Sequence, residues 1–173
     1  VTGVKAEEKR ELAPQLYDLT TLQREASSQL GFSAERTLKT AQSLYEKRKL
    51  ITYPRTDSRY LSHDMGGSVE KALKNLPESY AALSAPVLAG PIPRIKRVFD
   101  DTKLTDHHAI HPHGRRADPQ ALSPDEAKLF DLIARRLIAA FYPPCRYQAV
   151  RVVTESEGER FVSMAQRCWR SFR

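Results

Sequence analysis

Along most of the chain the apolar positions keep a helical period, and near the end the period becomes two. Leu22, Ala26 and Leu30 share one helical face. Just before them, Thr20-Thr21-Leu22-Gln23 has the form of a capping box, with Thr20 as the cap and Gln23 reaching back. Gly31-Phe32 breaks this helix, and Ser33 caps a second one whose stripe is Ala34, Leu38, Ala41 and Tyr45. Lys47-Arg48-Lys49 ends it, where cations suit the negative end of the helix dipole. Leu50-Ile51-Thr52 then delivers the chain into the polar turn Tyr53–Ser58. Ser62 is expected to cap a third helix over residues 63–76, and the Ala- and Pro-rich Leu83–Pro93 reads as a loop or broken helix. Ser123-Pro124-Asp125-Glu126 is a strong helix start, and Leu129, Ile133, Leu137 and Ala140 carry that helix to Phe141, before Pro143-Pro144 stops it. From Tyr147 the alternation in YQAVRVVTE predicts a strand, Glu157-Gly158-Glu159 a turn, and Phe161–Met164 the returning strand.

This pattern predicts a mainly α fold with a small β part. Residues 1–16, polar and proline-terminated, read as an edge strand and linker entering from a neighbouring domain. Residues 17–145 form a helical domain, and residues 146–173 a β-hairpin that cannot stand alone. The first two helices, joined by a short turn, have the spacing of a helix-turn-helix; an ordinary αα-hairpin has the same spacing. The chain begins at Val1 and stops just after a strand, which leads us to expect a piece of a longer protein.

The net charge of +7 and a pI near 9.5 favour a polyanionic partner, nucleic acid before a membrane surface. The two cysteines, Cys145 and Cys168, form no CxxC pair, so neither a zinc ribbon nor a redox pair is visible. No run is apolar and long enough to span a bilayer and no signal peptide is visible, while the two unremarkable thiols suit a reducing, cytoplasmic setting. His107, His108, His111 and His113 invite a metal site, but Pro112 interrupts any helix there and no cysteine lies near, so no dedicated metal is expected. Ser62-His63-Asp64 has the letters of a hydrolase triad, but triad members meet from distant chain positions rather than as neighbours.

The turn after Tyr53 carries the chemistry. A phenol with a pKa near ~10 is a poor nucleophile at neutral pH, yet it can hold a phosphoryl group as an ester that conserves the energy of the broken bond. Attack on a phosphodiester builds charge on the non-bridging oxygens, and a guanidinium meets that charge in a fork geometry. In an extended segment Arg55 lies on the same side as Tyr53. Thr56 and Ser58 can donate to phosphate oxygens, and Asp57 can accept from Arg55 or a hydroxyl. Taken by propensity alone, the same letters make a plain surface turn.

Two segments change that balance. LYDLTTLQREASSQLGFSAERTLKTAQSLYEKRKLITYPRTDSRYLS resembles the segment around the active-site tyrosine of type IA DNA topoisomerases, the topoisomerase III branch in particular, and LTDHHAIHPH resembles that family's second motif. The resemblance spans residues 12–173. It implies a helical active-site tyrosine domain flanked by strands of a neighbouring arch domain, cutting and rejoining one DNA strand through a 5′-phosphotyrosyl intermediate. Tyr53 would be the nucleophile, Arg55 would stabilise the phosphate, and His107 would sit near the scissile phosphate. Thr56, Asp57, Ser58, His108, Gln23 and Arg24 would contact DNA, single-stranded as substrate. The family takes magnesium on an acidic domain that nothing here resembles, so the chain by itself is expected to lack cleavage activity. Its remaining partners would be the other domains of the same polypeptide, in a bacterial nucleoid setting. His111 departs from the family's usual aliphatic residue. Tyrosine recombinases are disfavoured because Tyr53 precedes His107. A non-catalytic DNA-binding module built on the first two helices remains the alternative, and an interaction domain on residues 83–93 has only composition behind it.

Overall fold

The computed structural model describes residues 1–168; the end of the expected hairpin segment, residues 169–173, lies outside them. The chain divides into two compact units, one made of Val1–Ala13 together with the segment from Pro143 onward, the other of Pro14–Tyr142.

The first unit is an antiparallel sheet of β1 (Gly3–Glu11), β2 (Cys145–Ser156) and β3 (Glu159–Cys168), in the order β1-β2-β3. Its register runs from Gly3 opposite Val153 to Glu11 opposite Cys145, and from Tyr147 opposite Cys168 to Ser156 opposite Glu159. Glu157 and Gly158, with φ of 53° and 81°, turn β2 into β3. Two successive positive φ values match the right-handed twist of the strands they join. β1 falls within residues 1–16, and β2 begins at Cys145.

The second unit is helical: α1 (Leu19–Leu30), α2 (Ala34–Glu46), α3 (Gly66–Lys74), α4 (Ala81–Leu88) and α5 (Pro124–Ala140), linked by loops and single 3₁₀ turns. Leu22, Ala26, Leu44, Leu129, Ile133 and Leu137 are fully buried and form the centre of its core. Each buried Leu or Ile there contributes roughly 1.5–3 kcal/mol of apolar burial. α5 starts as expected: the Ser123 hydroxyl accepts from the Glu126 N–H at 3.2 Å, and the Glu126 carboxylate accepts from the Ser123 N–H at 2.8 Å.

Local detail departs from the sequence pattern in four places. α1 is capped by Asp18, not Thr20, with the carboxylate accepting from the Thr21 N–H at 2.6 Å. An ionised oxygen is a stronger acceptor for the orphan N–H groups than a hydroxyl. Gln23 instead donates its amide to the Ala34 carbonyl at 3.1 Å, across the α1–α2 junction. The buried stripe of α2 is Thr37, Thr40, Ala41 and Leu44, while Ala34 is exposed and Tyr45 half-buried. The threonines tolerate burial because their hydroxyls donate to the carbonyls of Ser33 and Arg36 one turn back, at 2.9 and 2.8 Å. Ser62 does not cap a helix with its side chain; a 3₁₀ turn at His63–Met65 precedes α3, which ends at Lys74. Ala81–Leu88 is a helix with Pro86 inside it.

Glu126 ties α5 to α2. It is buried and accepts from Ser43 Oγ at 2.8 Å and from Arg48 Nε and Nη2 at 3.2 and 3.1 Å. Burial pushes its carboxyl up, but the bonds from Arg48, the Ser123 N–H and Ser43 outweigh that and hold it at about 2. On the α1 side, Arg136 lies over the Tyr17 ring at 4.2 Å and pairs with Glu25.

Candidate active site

The turn that follows Tyr53 is held by three neighbours. The chain through Leu50–Thr52 runs antiparallel to the segment around Pro112, with Ile51 bridged to it. The Thr52 N–H donates to the His111 carbonyl at 3.0 Å, and the His113 N–H to the Leu50 carbonyl at 2.8 Å. The Thr52 hydroxyl donates to the Ala109 carbonyl at 2.9 Å. Farther on, the Leu19 N–H, one of the orphan donors at the start of α1, donates to the Thr56 carbonyl at 2.9 Å. Tyr17 is bridged to Ile110 in the same region. Residues distant in sequence are brought together because polar backbone in short irregular segments finds partners in other short segments.

This arrangement puts the half-buried Tyr53 ring against His107, with centroids 4.5 Å apart, and edge-on to Tyr45 of α2 at 5.6 Å. Arg55 is exposed, two residues on. With the Gln42 amide oxygen turned toward the guanidinium, as its donors require, it accepts from Arg55 Nε at 3.2 Å and from Nη2 at 3.0 Å. Arg55 and His107 line one open cleft of about 440 Å³, with Thr56 and Asp57 from the turn and Thr105 and Asp106 from the facing loop. Its remaining wall is Asp18, Leu19 and Thr20, so the positive end of the α1 dipole borders it. Of the carboxylates there, Asp18 is engaged by the α1 cap and by Arg59 at 3.3 Å, and Asp57 accepts from the Thr105 hydroxyl at 2.7 Å.

The other residues singled out in the sequence separate by task. Thr56 and Ser58 are buried, and their hydroxyls close the turn. The Thr56 hydroxyl accepts from the Ser58 N–H at 3.0 Å, and Ser58 Oγ accepts from the Tyr60 N–H at 3.2 Å. Asp57 takes a hydroxyl, from Thr105 rather than from its own turn. His108 Nε2 lies 3.2 Å from Ser62 Oγ, which also bonds Asp64. Serine stands between the other two, so the group lacks the order of a hydrolase triad. Gln23 is spent on the α1–α2 junction, outside the cleft lining, and Arg24 is exposed on α1, also outside it.

His111 is buried, and its Nδ1 bonds the Pro112 carbonyl at 2.8 Å while Nε2 has no partner. Burial lowers its pKa to about 4, so the ring is neutral at pH 7. The histidines of the second segment therefore diverge to different partners. No group of three or more His, Cys, Asp or Glu side chains gathers around a point among the described residues. The described residues thus offer no carboxylate cluster that fits a magnesium ion. No helix among them is long and apolar enough to cross a membrane.

Sequence reasoning missed Gln42, Tyr45 and Thr105. Gln42 and Tyr45 stand three apart on α2, a spacing that faces them the same way, and that was the available signal. Thr105 carried none, since its partner lies 48 residues away.

Residues 1–170 match the family model described as DNA topoisomerase. The DNA topoisomerase 3 of Bacillus licheniformis is 43% identical over 164 residues, covering 94% of this chain and 23% of that protein. The DNA topoisomerase 3 of Bacillus subtilis strain 168 is 42% identical with the same coverage. The structure of full-length topoisomerase I from Thermotoga maritima superimposes with a TM-score of 0.65 at 27% identity, over 96% of this chain and 27% of that one. The chain thus spans about a quarter of the length of the proteins it matches. The matched region takes in the Tyr53 turn and the His107 loop that pack together here, and the chain belongs to the type IA DNA topoisomerase family.

Proposed function

We propose that this chain is the tyrosine-bearing part of a longer enzyme that cuts and rejoins one DNA strand, with Tyr53 as nucleophile. The observation that carries the reading is the Tyr53 ring packed 4.5 Å from His107, beside a cleft that Arg55 lines. In the forward step the Tyr53 oxygen forms a bond to DNA phosphorus and loses its proton. The bond from phosphorus to the 3′ oxygen of the neighbouring nucleotide breaks, and that oxygen leaves as a hydroxyl. The 5′-phosphotyrosyl ester so formed is reversed when the same hydroxyl attacks it. No bond energy is spent, so no nucleotide hydrolysis is required.

Arg55 meets the charge that grows on the non-bridging oxygens, and His107 adds a ring nitrogen to the same phosphate. Single-stranded DNA is the substrate on this reading, its backbone held by basic side chains and its unpaired bases free to stack on aromatic ones. Magnesium, if the complete enzyme uses it, would be held outside the described residues. The sheet of β1–β3 would belong to a neighbouring arch domain. The α1–α2 pair would support the Tyr53 turn rather than enter a groove, since Gln42 and Tyr45 of α2 are turned to that turn.

The test is trapping. The complete polypeptide is mixed with single-stranded DNA labelled at its 3′ end and a divalent cation, denatured, and digested. Label on a peptide containing Tyr53, lost in Tyr53→Phe while DNA binding survives, supports the reading. Label on another residue contradicts it.

A further inference from the structure

We infer that Gln42 is a positioning residue for Arg55: a neutral acceptor that fixes the guanidinium fork without cancelling its charge. This inference rests on the reading of Tyr53 and Arg55 given above.

Arg55 is exposed at the start of a loop, where a long, rotamer-rich side chain must lose conformational freedom before it meets a phosphate in one geometry. Gln42 sits half-buried on α2, a helix fixed by the buried Thr37, Ala41 and Leu44 on its adjoining face. Its amide oxygen accepts from two donors of one edge of the fork, Nε at 3.2 Å and Nη2 at 3.0 Å. Among the described residues no carboxylate is paired with Arg55. A guanidinium has five N–H donors. Two bind Gln42, and the others, on Nη1 and the far side of Nη2, remain for a phosphate.

The neutrality of the partner matters. An aspartate or glutamate at position 42 would orient the fork equally well and would also neutralise it. The attraction for the phosphate charge that develops during attack would then fall. An amide oxygen supplies direction only. The same helix face carries Tyr45 edge-on to Tyr53. One rigid element therefore sets both the nucleophile and the cation, which is how preorganised sites hold their geometry.

The experiment is a double-substitution cycle in the complete polypeptide, reading the single-turnover rate of adduct formation and the Kd for single-stranded DNA. Gln42→Met keeps side-chain length and removes the acceptor; Gln42→Ala serves as a second variant should methionine disturb α2. With wild-type Arg55, either change is expected to slow cleavage about tenfold and to alter Kd less than about twofold, the signature of lost orientation rather than lost binding. In an Arg55→Ala background the same change is expected to have almost no further effect. Gln42→Glu is expected to slow cleavage as well, although it restores an acceptor. An unchanged rate in Gln42→Met, or an equal slowing with and without Arg55, overturns the inference. Tyr53→Phe, run in parallel, separates the two levels. If it still forms adduct, the underlying function fails; if it forms none while Gln42→Met cleaves normally, only the role of Gln42 fails.

Discussion

At the scale of single residues, the cleft divides its polar side chains between those that hold the turn and those left to act. Thr56 and Ser58 spend their hydroxyls inside the turn, and Asp57 spends its carboxylate on Thr105. Arg55 keeps donors beyond those given to Gln42, and the Tyr53 ring packs on His107, which lines the cleft. Removing Arg55 should therefore act on the transition state. Arg55→Ala in the complete polypeptide is expected to slow adduct formation by about 10²-fold or more, with the Kd for single-stranded DNA changed only a few-fold. Parallel measurement of both quantities checks this, and equal losses would assign Arg55 to binding alone.

His111 makes a second prediction at this scale. Its folded pKa, lowered to about 4 by burial, lies below the usual value of 6.5. The unfolded chain takes up its proton first as pH falls, so this residue withdraws stability between pH 6.5 and 4. His111→Val should flatten the pH dependence of denaturation midpoints across that window. An unchanged slope would show that the ring is not held neutral by burial.

At the scale of elements, α5 and α2 are joined by a charge that would be costly if left alone. Glu126 is held down at about 2 against a usual 4.5, so its contribution is complete above pH 4.5 and is lost as pH falls toward 2. Glu126→Gln should lower stability at neutral pH by about 2 kcal/mol, the scale of lost charged hydrogen bonds at a buried position. The difference from the parent should shrink in acid, and urea denaturation at pH 7 and pH 3 measures both. The start of α5 was legible in Ser123-Pro124-Asp125-Glu126, because capping chemistry is local. The cap of α1 was not: Asp18 wins over Thr20 partly because the chain enters from the Tyr17–Ile110 bridge, a contact made 93 residues apart in sequence (110 − 17). The buried face of α2 was missed by about one residue for a related reason. Threonines count as polar in a periodicity, yet Thr37 and Thr40 satisfy their own hydroxyls and turn inward. The Tyr53 turn and the His107 loop were each visible as segments. Their meeting was not, because it depends on backbone bonds between positions such as Thr52 and His111.

At the scale of the whole molecule, two compact units share one chain, and the sheet unit is made from both of its ends. The net charge of +7 supplies a general attraction for phosphate that the cleft alone does not, since Arg55 is accompanied there by Asp18, Asp57 and Asp106. On the proposed reading, affinity and chemistry would be separable, with net charge serving affinity and the cleft serving chemistry. The most direct measurement is the covalent trap. The complete polypeptide is incubated with single-stranded DNA labelled at its 3′ end, denatured and digested, and the labelled peptide is sequenced by mass spectrometry. The account predicts a DNA phosphate on Tyr53 and no adduct in Tyr53→Phe; an adduct of undiminished yield in Tyr53→Phe would contradict it.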